Sequence, residues 1–515
     1  MFLQDVIDVV DVRDYAGDPA TPIEGIAYDS RQVKPGFLFV AIEGFNTDGH
    51  SYINEAIRRG AVAVVIQHTT SVPAGIAWVR TDNSRQALAL IAARFYSYPA
   101  GEMKMIGITG TNGKTTVSNL LTAVFRAAGL KCGLIGTIHN RIGEQILPVK
   151  HTTPESLDLQ HLLAEMRSAR VQVCVMEVSS HALALHRVDG CQFDGAVFTN
   201  LTQDHLDFHQ DMAGYLAAKL KLFHGLPANG GTKKAACSII NTDDPRAGDF
   251  LQAAAGGPVY TYGVHTPADL QAENIEVKAT GVNFTVGGKW GRLTLDLKIT
   301  GLFNVYNALA AFAIAAAMGI PPDVIKDALE NIAGVPGRFE QVDAGQNFTI
   351  FVDYAHTPDG LENVLKTARQ LTRTQLITVF GCGGDRDRKK RPLMGRIAVE
   401  HSDYTIITSD NPRTEDPLGI IAEIEKGVKQ VAAPEGYMVV PDRRQAIRLA
   451  VNRAKQDDVV VIAGKGHEAY QIIGKEKIPF DDRLEAAAAL REPGGTGGQV
   501  PCPTESGRQK ADGRK

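Results

Sequence analysis

The residues best suited to chemistry lie in a glycine-rich run that follows an apolar stretch. Residues 107–116 read GITGTNGKTT, directly after the run 103–106. This order is typical of a strand, a phosphate-binding loop and a helix, in which backbone N–H groups hold phosphates, a lysine reaches the β- and γ-phosphates and a hydroxyl binds Mg²⁺. Lys114 and Thr115 stand at the positions of that lysine and that hydroxyl. The sequence therefore predicts a P-loop that binds ATP or GTP.

The match to the general P-loop spacing has one departure. Ile108 stands where that spacing has a glycine, and the nearest glycines are Gly107 and Gly110. The alternative interpretation is an ordinary glycine-rich turn between a strand and a helix. The positions of Lys114 and Thr115 favour the P-loop.

Two candidate metal ligands follow apolar runs in the middle of the chain. Glu177 follows the run 173–176, where a carboxylate in a nucleotide enzyme would hold Mg²⁺. The alternative is a carboxylate that caps the following helix. His205 lies in TNLTQDHLD (199–207) and is either structural or a metal ligand. Alone this histidine would more often be structural; together with Glu177 and the P-loop motif, the two roles are about equally supported.

Lys219 lies in a segment that predicts an amphipathic helix. Residues 215–223 read YLAAKLKLF. Lysine is rarely buried without a partner, so these residues taken alone indicate a surface lysine.

The last part of the chain alternates predicted strands and helices. Strands are predicted at 349–352, 376–380, 405–408 and 459–463, and helices at 358–371, 417–430 and 442–455. This alternation is typical of a doubly wound, Rossmann-like α/β domain, in which ligands bind at the carboxyl ends of the strands. The polar segments that follow the four strands are DYAH (353–356), GCGGDR (381–386), SDNPR (409–413) and GKGHE (464–468). We expect these segments to converge on one site.

The remaining apolar runs predict an α/β fold in the rest of the chain as well. Runs that alternate with helical segments predict a parallel sheet in the middle of the chain. These runs are at 173–176, 196–198 and 238–240, and the corresponding runs near the N-terminus are at 38–42 and 61–66.

The chain length and two breaks in the sequence predict the domain organisation. A length of 515 residues is expected to form about three domains. Breaks near YPAG (98–101) and GVPG (334–337) place these domains at 1–100, 101–335 and 336–490. Residues 491–515 are rich in Gly, Pro and charge, which predicts a disordered tail.

The composition is ordinary for a globular enzyme, with 44% hydrophobic and 22% charged residues. A net charge of −4 does not indicate a nucleic-acid partner. No apolar run approaches the ~20 residues that span a bilayer, and the acidic N-terminal segment differs from a signal peptide. The six cysteines lack the spacing of a metal site or a disulfide scaffold. We expect a cytoplasmic enzyme without membrane insertion.

Six motifs in order give the chain a resemblance to the Mur ligase family. They are TGTNGKTT, MEVSSHAL, TNLTQDHLDFH, YLAAKLKLF, GLFNVYNALAA and VPGRFE. The resemblance covers roughly residues 25–487, and the family's own P-loop reads GTNGKTT, which accounts for Ile108. It implies three domains: an N-terminal α/β domain that binds a uridine nucleotide, a central P-loop ATPase domain and a C-terminal Rossmann-like domain that binds an amino acid.

The resemblance also implies a reaction in which an amino acid is added to a UDP-N-acetylmuramic acid derivative during peptidoglycan assembly. A substrate carboxylate attacks the γ-phosphate of ATP, and an amine then displaces phosphate from the acyl phosphate. Two anions meet in the first step, so Lys114 and two Mg²⁺ ions are expected to neutralise charge. The spacing between the P-loop and the third domain implies that ATP binds between domains.

Matching positions imply the residues at the ATP and metal sites. The implied ATP contacts are Gly110, Thr111, Asn112, Gly113, Lys114, Thr115, Thr116, Asn304, Arg338 and Asp353. The implied metal ligands are Thr115, Glu177, His205 and Lys219, the last as a carbamate formed with CO₂ (N6-carboxylysine). Lys114, Glu177, His205 and Lys219 are the implied catalytic residues. Lys221 is the rival of Lys219 by register, Asn304 could equally be a helix cap, and Arg338 could be a surface charge.

The resemblance implies contacts to the uridine nucleotide and the muramoyl peptide as well. These are Tyr28, Ser30, Phe45, Asn46, Thr47, Thr152, Thr153, Ser179 and Arg187. The chain departs from the family pattern at Leu185, where some members have a polar contact residue, and this puts one hydrogen bond to the substrate in doubt.

The motif Asp410-Asn411-Pro412-Arg413 is similar to that of members which add meso-2,6-diaminopimelate to UDP-N-acetylmuramoyl-L-alanyl-D-glutamate. A guanidinium offers the distal carboxylate of this amino acid a planar, bidentate partner. The implied diaminopimelate contacts are Arg386, Asp410, Asn411, Pro412, Arg413, Gly464 and Glu468. The alternative for Arg413 is a solvated loop arginine.

Other functions remain open at this point. A lysine-adding ligase is the nearest alternative, and Arg413 counts against it. Folylpolyglutamate synthase shares the ligase core but lacks the uridine-binding domain, a role that residues 25–49 would fill here. A mechanical or regulatory P-loop ATPase would hydrolyse nucleotide without an amino-acid acceptor. A non-enzymatic scaffold would leave the polar strand ends unexplained. The expected partners are small-molecule substrates, and a monomer is expected.

Overall fold

A computed structural model describes residues 1–44, 47–226, 236–431 and 433–491. The predicted nucleotide contacts Phe45 and Asn46, and the tail after residue 491, lie outside the described residues.

The N-terminal elements form a five-stranded sheet in the order β1-β5-β4-β3-β2. Only β1 is antiparallel to its neighbour, β5. The apolar run Ala61–Ile66 forms a central strand, β4, because its buried side chains fill both faces of the sheet. In chain order the elements are α1 (Leu3–Ile7), β1 (Val12–Ala16), β2 (Gly25–Ala27), β3 (Phe37–Val40), α2 (Ile53–Arg58), β4 (Ala61–Ile66), β5 (Ala77–Thr81) and α3 (Ser84–Phe95).

The middle elements form an eleven-stranded sheet in the order β16-β15-β14-β13-β12-β11-β6-β10-β7-β8-β9. In chain order they are β6 (Lys104–Thr109), α4 (Lys114–Ala127), β7 (Cys132–Ile135), β8 (Asn140–Ile142), β9 (Gln145–Leu147), α5 (Ser156–Ser168), β10 (Val173–Glu177), α6 (Ser180–Ala184), β11 (Gly195–Phe198), α7 (Leu206–His209), α8 (Met212–His224), β12 (Cys237–Asn241), α9 (Ala247–Ala253), β13 (Val259–Gly263), β14 (Leu270–Lys278), β15 (Gly281–Gly288), β16 (Leu293–Leu297), α10 (Leu302–Ala317) and α11 (Pro322–Asn331). One apolar cluster joins α4, α10 and α11 to one face of this sheet, and another joins α5 and α8 to the opposite face.

The predicted parallel sheet is confirmed for the centre of this sheet, from β13 to β7. Both edges are antiparallel, which the sequence analysis did not predict. The strands β14 and β15, near one edge, alternate buried and more exposed residues because only one face of each packs on helices. A search for continuous apolar runs finds fully buried central strands and misses half-exposed ones of this kind.

The C-terminal elements form a six-stranded sheet in the order β17-β18-β22-β19-β20-β21, parallel except for the β17–β18 pair. Separate apolar clusters lie on its two faces, so the predicted doubly wound arrangement is confirmed. In chain order the elements are β17 (Glu340–Val342), β18 (Thr349–Asp353), α12 (Pro358–Leu371), β19 (Leu376–Phe380), α13 (Lys390–His401), β20 (Tyr404–Ile407), α14 (Pro417–Val428), β21 (Tyr437–Val439), α15 (Arg443–Arg453), β22 (Val459–Ala463), the hairpin strands β23 (Tyr470–Ile473) and β24 (Glu476–Pro479), and α16 (Asp482–Arg491).

Within the described ranges, we find no helix with both the length and the apolar character needed to cross a membrane.

Candidate active site

The loop between β6 and α4 has the close packing that its glycines permit. Gly110 and Gly113 have φ of 149° and 88°, a region that side chains disfavour. A Cβ atom on Gly110 would lie 1.8 Å from Thr199 Oγ1, and one on Gly113 would lie 2.5 Å from Asn307 Oδ1. The helix α4 begins at Lys114, so its free N–H groups face the loop. This is the geometry of a phosphate-binding loop.

Lys114 folds back over this loop. Its Nζ donates to the carbonyls of Gly110 and Thr111, at 2.9 Å each. Burial lowers the pKa of Lys114, while the carboxylates of Glu177 and Asp204 act in the opposite direction. The ammonium is therefore held at the loop by carbonyl dipoles and is in position to meet a phosphate there.

Glu177, at the end of β10, turns toward the P-loop. Its Oε2 accepts hydrogen bonds of 2.8 Å from the hydroxyls of Thr115 and Thr137, and its Oε1 accepts one of 2.9 Å from the Thr137 amide. The alternative role as a helix cap is not observed, because the Ser179 hydroxyl caps α6. The structure thus brings together Thr115 and Glu177, two of the predicted metal ligands.

The residue-level interpretation of Lys219 as a surface lysine is wrong. Lys219 is 1% exposed, and its Nζ donates to the carbonyl of Gly110 at 2.7 Å. Burial and the nearby Lys114 hold the pKa of Lys219 well below its usual range. The rival Lys221, two residues further along α8, is exposed. The helix places the two lysines on different faces, and only the face of Lys219 packs on the P-loop.

His205 lies beside a buried carboxylate. Its Nε2 is 3.2 Å from Asp204 Oδ2, and its backbone has a φ of 55°. Burial lowers the pKa of His205 to about 3. Burial acts to raise the pKa of Asp204, but His205 and Lys390 outweigh it and lower that pKa to about 2. His205 is therefore a neutral imidazole next to an anion at neutral pH.

Two side chains next to the third sheet contact the P-loop directly: Arg338, just before β17, and Asp359, in α12. A guanidinium nitrogen of Arg338 donates to Thr115 Oγ1 at 2.9 Å, and this guanidinium lies 4.6 Å from the ring centre of Tyr354. Asn112 Nδ2 donates to Asp359 Oδ2 at 2.7 Å. Arg338 is thus not a free surface charge, and the nucleotide loop lies between two domains.

Asn304 and Asp353 form hydrogen bonds to other protein groups of the site. Asn304 lies inside α10, whose N-cap is Gly301, so its alternative role as the cap is not observed. Its Oδ1 accepts from Asn307 Nδ2 at 3.0 Å, and Asn307 approaches Gly113 of the loop. Both carboxylate oxygens of Asp353 accept backbone N–H groups, and burial raises its pKa to about 6.

The predicted muramoyl-peptide contacts form a continuous polar group beside Glu177. Thr153 Oγ1 donates to the Glu177 carbonyl at 2.8 Å, and an Arg187 guanidinium nitrogen donates to the Thr153 carbonyl at 3.1 Å. The hydroxyls of Thr152 and Thr137 are 3.1 Å apart. Ser179 joins the group through its amide, which donates to Thr153 Oγ1 at 3.2 Å.

Of the predicted N-terminal contacts, Tyr28 reaches the middle part of the chain, whereas Ser30 and Thr47 contact residues of the N-terminal part. The Tyr28 hydroxyl donates to Asp158 Oδ2 of α5 at 2.8 Å. Ser30 Oγ is 3.3 Å from Glu55 Oε2, and the Thr47 carbonyl accepts from the Gly44 amide at 2.9 Å. These contacts show where the residues lie; their nucleotide contacts stay a prediction.

The four polar strand ends of the third sheet meet, as predicted. Asn411 Nδ2 donates to Glu468 Oε2 at 2.8 Å, and the Gly464 amide donates to the Asp353 carbonyl at 3.0 Å. A Cβ atom on Gly464 would lie 2.5 Å from Asp410 Oδ2. The parallel strands carry these loops to one edge of the sheet, which is why they converge.

Two guanidiniums lie in this group of loops. Arg413 donates to the Gly384 carbonyl at 2.7 Å, and Arg386 donates to the Asp385 carbonyl at 2.8 Å. Burial and then the nearby Arg386 lower the pKa of Arg413. Two positive charges that act on each other in this way favour an anionic ligand nearby.

Sequence reasoning missed several residues that hold these groups in place. Thr137, Asn307 and Asp359 contact the P-loop or Glu177, and the fully buried Lys465 donates to Asn411 Oδ1 and Glu468 Oε2 at 3.1 and 3.0 Å. Of these residues, only Asn307 could have been found from the sequence, because it lies one helical turn after Asn304.

Three family models match the chain in the order of its three larger sheets. They are "Mur ligase family, catalytic domain" at residues 22–96, "Mur ligase middle domain" at 108–315 and "Mur ligase, glutamate ligase domain" at 337–466. The chain belongs to the Mur ligase family.

Individual Mur ligases are similar over nearly the whole chain. The UDP-N-acetylmuramoyl-L-alanyl-D-glutamate–2,6-diaminopimelate ligase of Caldanaerobacter subterraneus subsp. tengcongensis is 50% identical over 476 residues, which are 92% of this chain and 96% of the relative. The enzyme of the same name from Syntrophomonas wolfei subsp. wolfei is 49% identical, over 91% and 95% of the two chains. A solved structure of a ligase of that name has a TM-score of 0.67 and 33% identity, and the match covers 95% of this chain and 98% of that one.

Proposed function

We propose that this Mur ligase adds meso-2,6-diaminopimelate to UDP-N-acetylmuramoyl-L-alanyl-D-glutamate in peptidoglycan synthesis, with hydrolysis of ATP to ADP and phosphate. Relatives at 45–50% identity carry the name of this ligase. The observation that carries the choice of amino acid is the placement of Arg413 and Arg386 around Gly383: a Cβ atom on this glycine would lie 2.9 Å from an Arg413 guanidinium nitrogen and 3.9 Å from Arg386 Cγ.

The first step forms an acyl phosphate. A carboxylate of the D-glutamyl residue attacks the γ-phosphorus, and the bond to the leaving ADP breaks. Both reactants are anions, so positive charge fixed in advance at the phosphate lowers the barrier. Lys114 supplies this charge from the P-loop, and Arg338 supplies it from the turn before β17.

The second step forms the amide. The amine of the amino acid attacks the acyl carbon and loses a proton, and phosphate leaves from the tetrahedral intermediate. The loops after β18, β19, β20 and β22 hold the amino acid at the edge of the sheet that faces the P-loop. Asn112 and Asp359 join the two domains across that gap.

The side chains around the P-loop fit a magnesium site. Thr115 and Glu177 offer the hydroxyl and carboxylate oxygens that Mg²⁺ prefers, and Glu177 is 1% exposed. His205 and a carbamate on Lys219 would help to hold a second ion. Mg²⁺ when bound screens the phosphate charge. Carbamate formation requires a neutral amine, and burial of Lys219 favours that form.

The remaining assignments complete the proposal. We place the uridine-nucleotide domain at 1–100, the ATP domain at 101–335 and the amino-acid domain at 336–490, a division that the three larger sheets support. Tyr28, Ser30, Thr47, Thr152, Thr153, Ser179 and Arg187 are proposed to bind the uridine-linked muramoyl peptide. The enzyme is proposed to act as a cytoplasmic monomer.

The test is a phosphate-release assay with product mass, run with ATP, Mg²⁺ and UDP-N-acetylmuramoyl-L-alanyl-D-glutamate. We expect amide product with meso-diaminopimelate and a preference over L-lysine of ~10³ or more, because a site built to pair a polar group rejects an analogue that lacks it. Equal use of both amino acids would overturn the choice of diaminopimelate. Phosphate release that needs no amino acid would favour a P-loop ATPase of another kind.

A further inference from the structure

A fully buried arginine lies beneath the loops that carry the two guanidiniums. Arg391 is 0% exposed and is the second residue of α13. Its guanidinium donates to both oxygens of Glu415 at 2.9 and 2.8 Å, to Glu423 Oε2 at 2.8 Å and to the Gly383 carbonyl at 3.1 Å. It therefore contacts the loop after β19 and the loop after β20 together.

Gly383 and Gly384 lie between the side chains of Arg391 and Arg413 and are hydrogen-bonded to both. Arg391 holds the carbonyl of Gly383, and Arg413 donates to the carbonyl of Gly384. A Cβ atom on Gly383 would lie 2.9 Å from an Arg413 guanidinium nitrogen, and one on Gly384 would lie 1.8 Å from the Pro412 carbonyl oxygen. The backbone is thus packed directly between the two arginines, and a shift of one displaces the other.

Glu415 links the same two loops from the other side. Besides Arg391, its Oε1 accepts from the Asp385 amide at 2.6 Å. Asp385 in turn accepts from the Thr414 hydroxyl at 2.8 Å. The hydrogen bonds to Arg391 lower the pKa of Glu415 to about 2, so it is an anion at neutral pH.

A buried ion pair is a weak means of stabilising a fold, because removing both charges from water costs much of what their attraction returns. The contribution of Arg391 is instead to orient its partners. A guanidinium forms several hydrogen bonds in one plane, which a lysine cannot do, so the positions of its partners are fixed relative to one another. The four bonds of Arg391 are spread over two loops and one helix, α14. This arrangement holds the loops at a set distance from each other.

We propose that Arg391, with Glu415, is a positioning residue that sets where the Arg413 guanidinium lies and thereby determines selectivity for an amino acid with a distal carboxylate. The inference rests on the proposed function, because the ligand of Arg413 is the diaminopimelate carboxylate assigned above. Arg391 acts through the Gly383–Gly384 backbone and does not itself touch the substrate.

The experiment compares Arg391→Lys and Glu415→Gln with the wild-type enzyme and with Arg396→Lys. Arg396 is the matched control: it lies on the same helix, pairs with Glu400 at 2.6 Å and has 55% of its side chain exposed. We expect Arg391→Lys to raise KM for diaminopimelate about tenfold or more and to reduce the preference over L-lysine, because small displacements of a binding group have effects of this size. KM for ATP and for the uridine nucleotide should stay near wild type, and Arg396→Lys should behave as wild type.

A purely structural role would give a different result. It would lower the melting temperature and the amount of folded enzyme while leaving KM for diaminopimelate and the selectivity ratio unchanged, and that result would overturn the inference. If Arg391→Lys does not fold, the test uses Glu415→Gln, which keeps the shape of the side chain. KM for diaminopimelate and the selectivity ratio of this variant then decide. Wild-type enzyme that ignores diaminopimelate would instead overturn the proposed function itself.

Discussion

The Nζ atom of Lys219 donates a hydrogen bond to the Gly110 carbonyl over 2.7 Å, so a fully buried amine is in contact with the P-loop. Lys114 donates to the same carbonyl. Two ammonium groups around one carbonyl repel each other, and burial adds to the cost of the charge on Lys219. The relationship favours a neutral amine at Lys219, which is the form that reacts with CO₂.

We predict that activity requires CO₂ at Lys219. Lys219→Ala should lose activity by about 10- to 100-fold or more, the scale of disturbing a metal site, and a small carboxylic acid should restore part of it. In wild-type enzyme, removal of CO₂ should lower the rate, and more so at lower pH, because protons compete with CO₂ for the amine. Lys221→Ala on the same helix is the control. A bare ammonium at Lys219 in fully active enzyme, seen in a density map, would refute the carbamate.

We predict that Lys114→Ala abolishes turnover without unfolding the protein. In the proposed mechanism Lys114 supplies charge to the transferring phosphoryl group, and loss of one such contact costs roughly 10²–10³ in rate or more. Phosphate release measures the rate, and circular dichroism checks the fold. A folded variant with near-normal ligation would contradict the ATP-driven mechanism.

We predict that Asp359→Ala weakens the link between the ATP domain and the amino-acid domain. Its carboxylate accepts from Asn112 at 2.7 Å, and a hydrogen bond to a charged group is worth about 1.5–3 kcal/mol. The expected loss in kcat/KM for ATP is therefore about tenfold or more. Asp323→Ala, which removes an exposed acid from the first turn of α11, is the control. Wild-type kinetics in Asp359→Ala would show that this contact has no part in catalysis.

We predict that Arg413→Ala raises KM for diaminopimelate sharply and leaves KM for ATP and for the uridine nucleotide nearly unchanged. A charge-assisted bidentate pair in a partly buried site is worth about 1.5–3 kcal/mol. Steady-state kinetics with each substrate varied in turn measures the effect. An equal rise in KM for all three substrates would point to a general loss of structure.

Local sequence patterns were sufficient to predict those parts of the site that lie within one segment of the chain. The P-loop could be predicted because its glycines, Lys114 and Thr115 are consecutive in the chain and their roles follow from backbone geometry. The strand ends at 353–356 and 409–413 could be predicted to meet because parallel strands carry their carboxyl ends to one edge. The order of the six motifs was sufficient to identify the family.

Contacts between distant elements required the tertiary structure. Lys219 and Lys221 lie in one amphipathic segment, and only the packing of α8 on the P-loop decides which lysine is buried. Asn112 and Asp359 are 247 residues apart in the chain, so local patterns do not connect them. In the sequence Arg391 resembles any helical arginine, and only the folded structure shows the loops that it contacts. Periodicity describes one element at a time, whereas burial and ion pairing depend on which faces of separate elements come together.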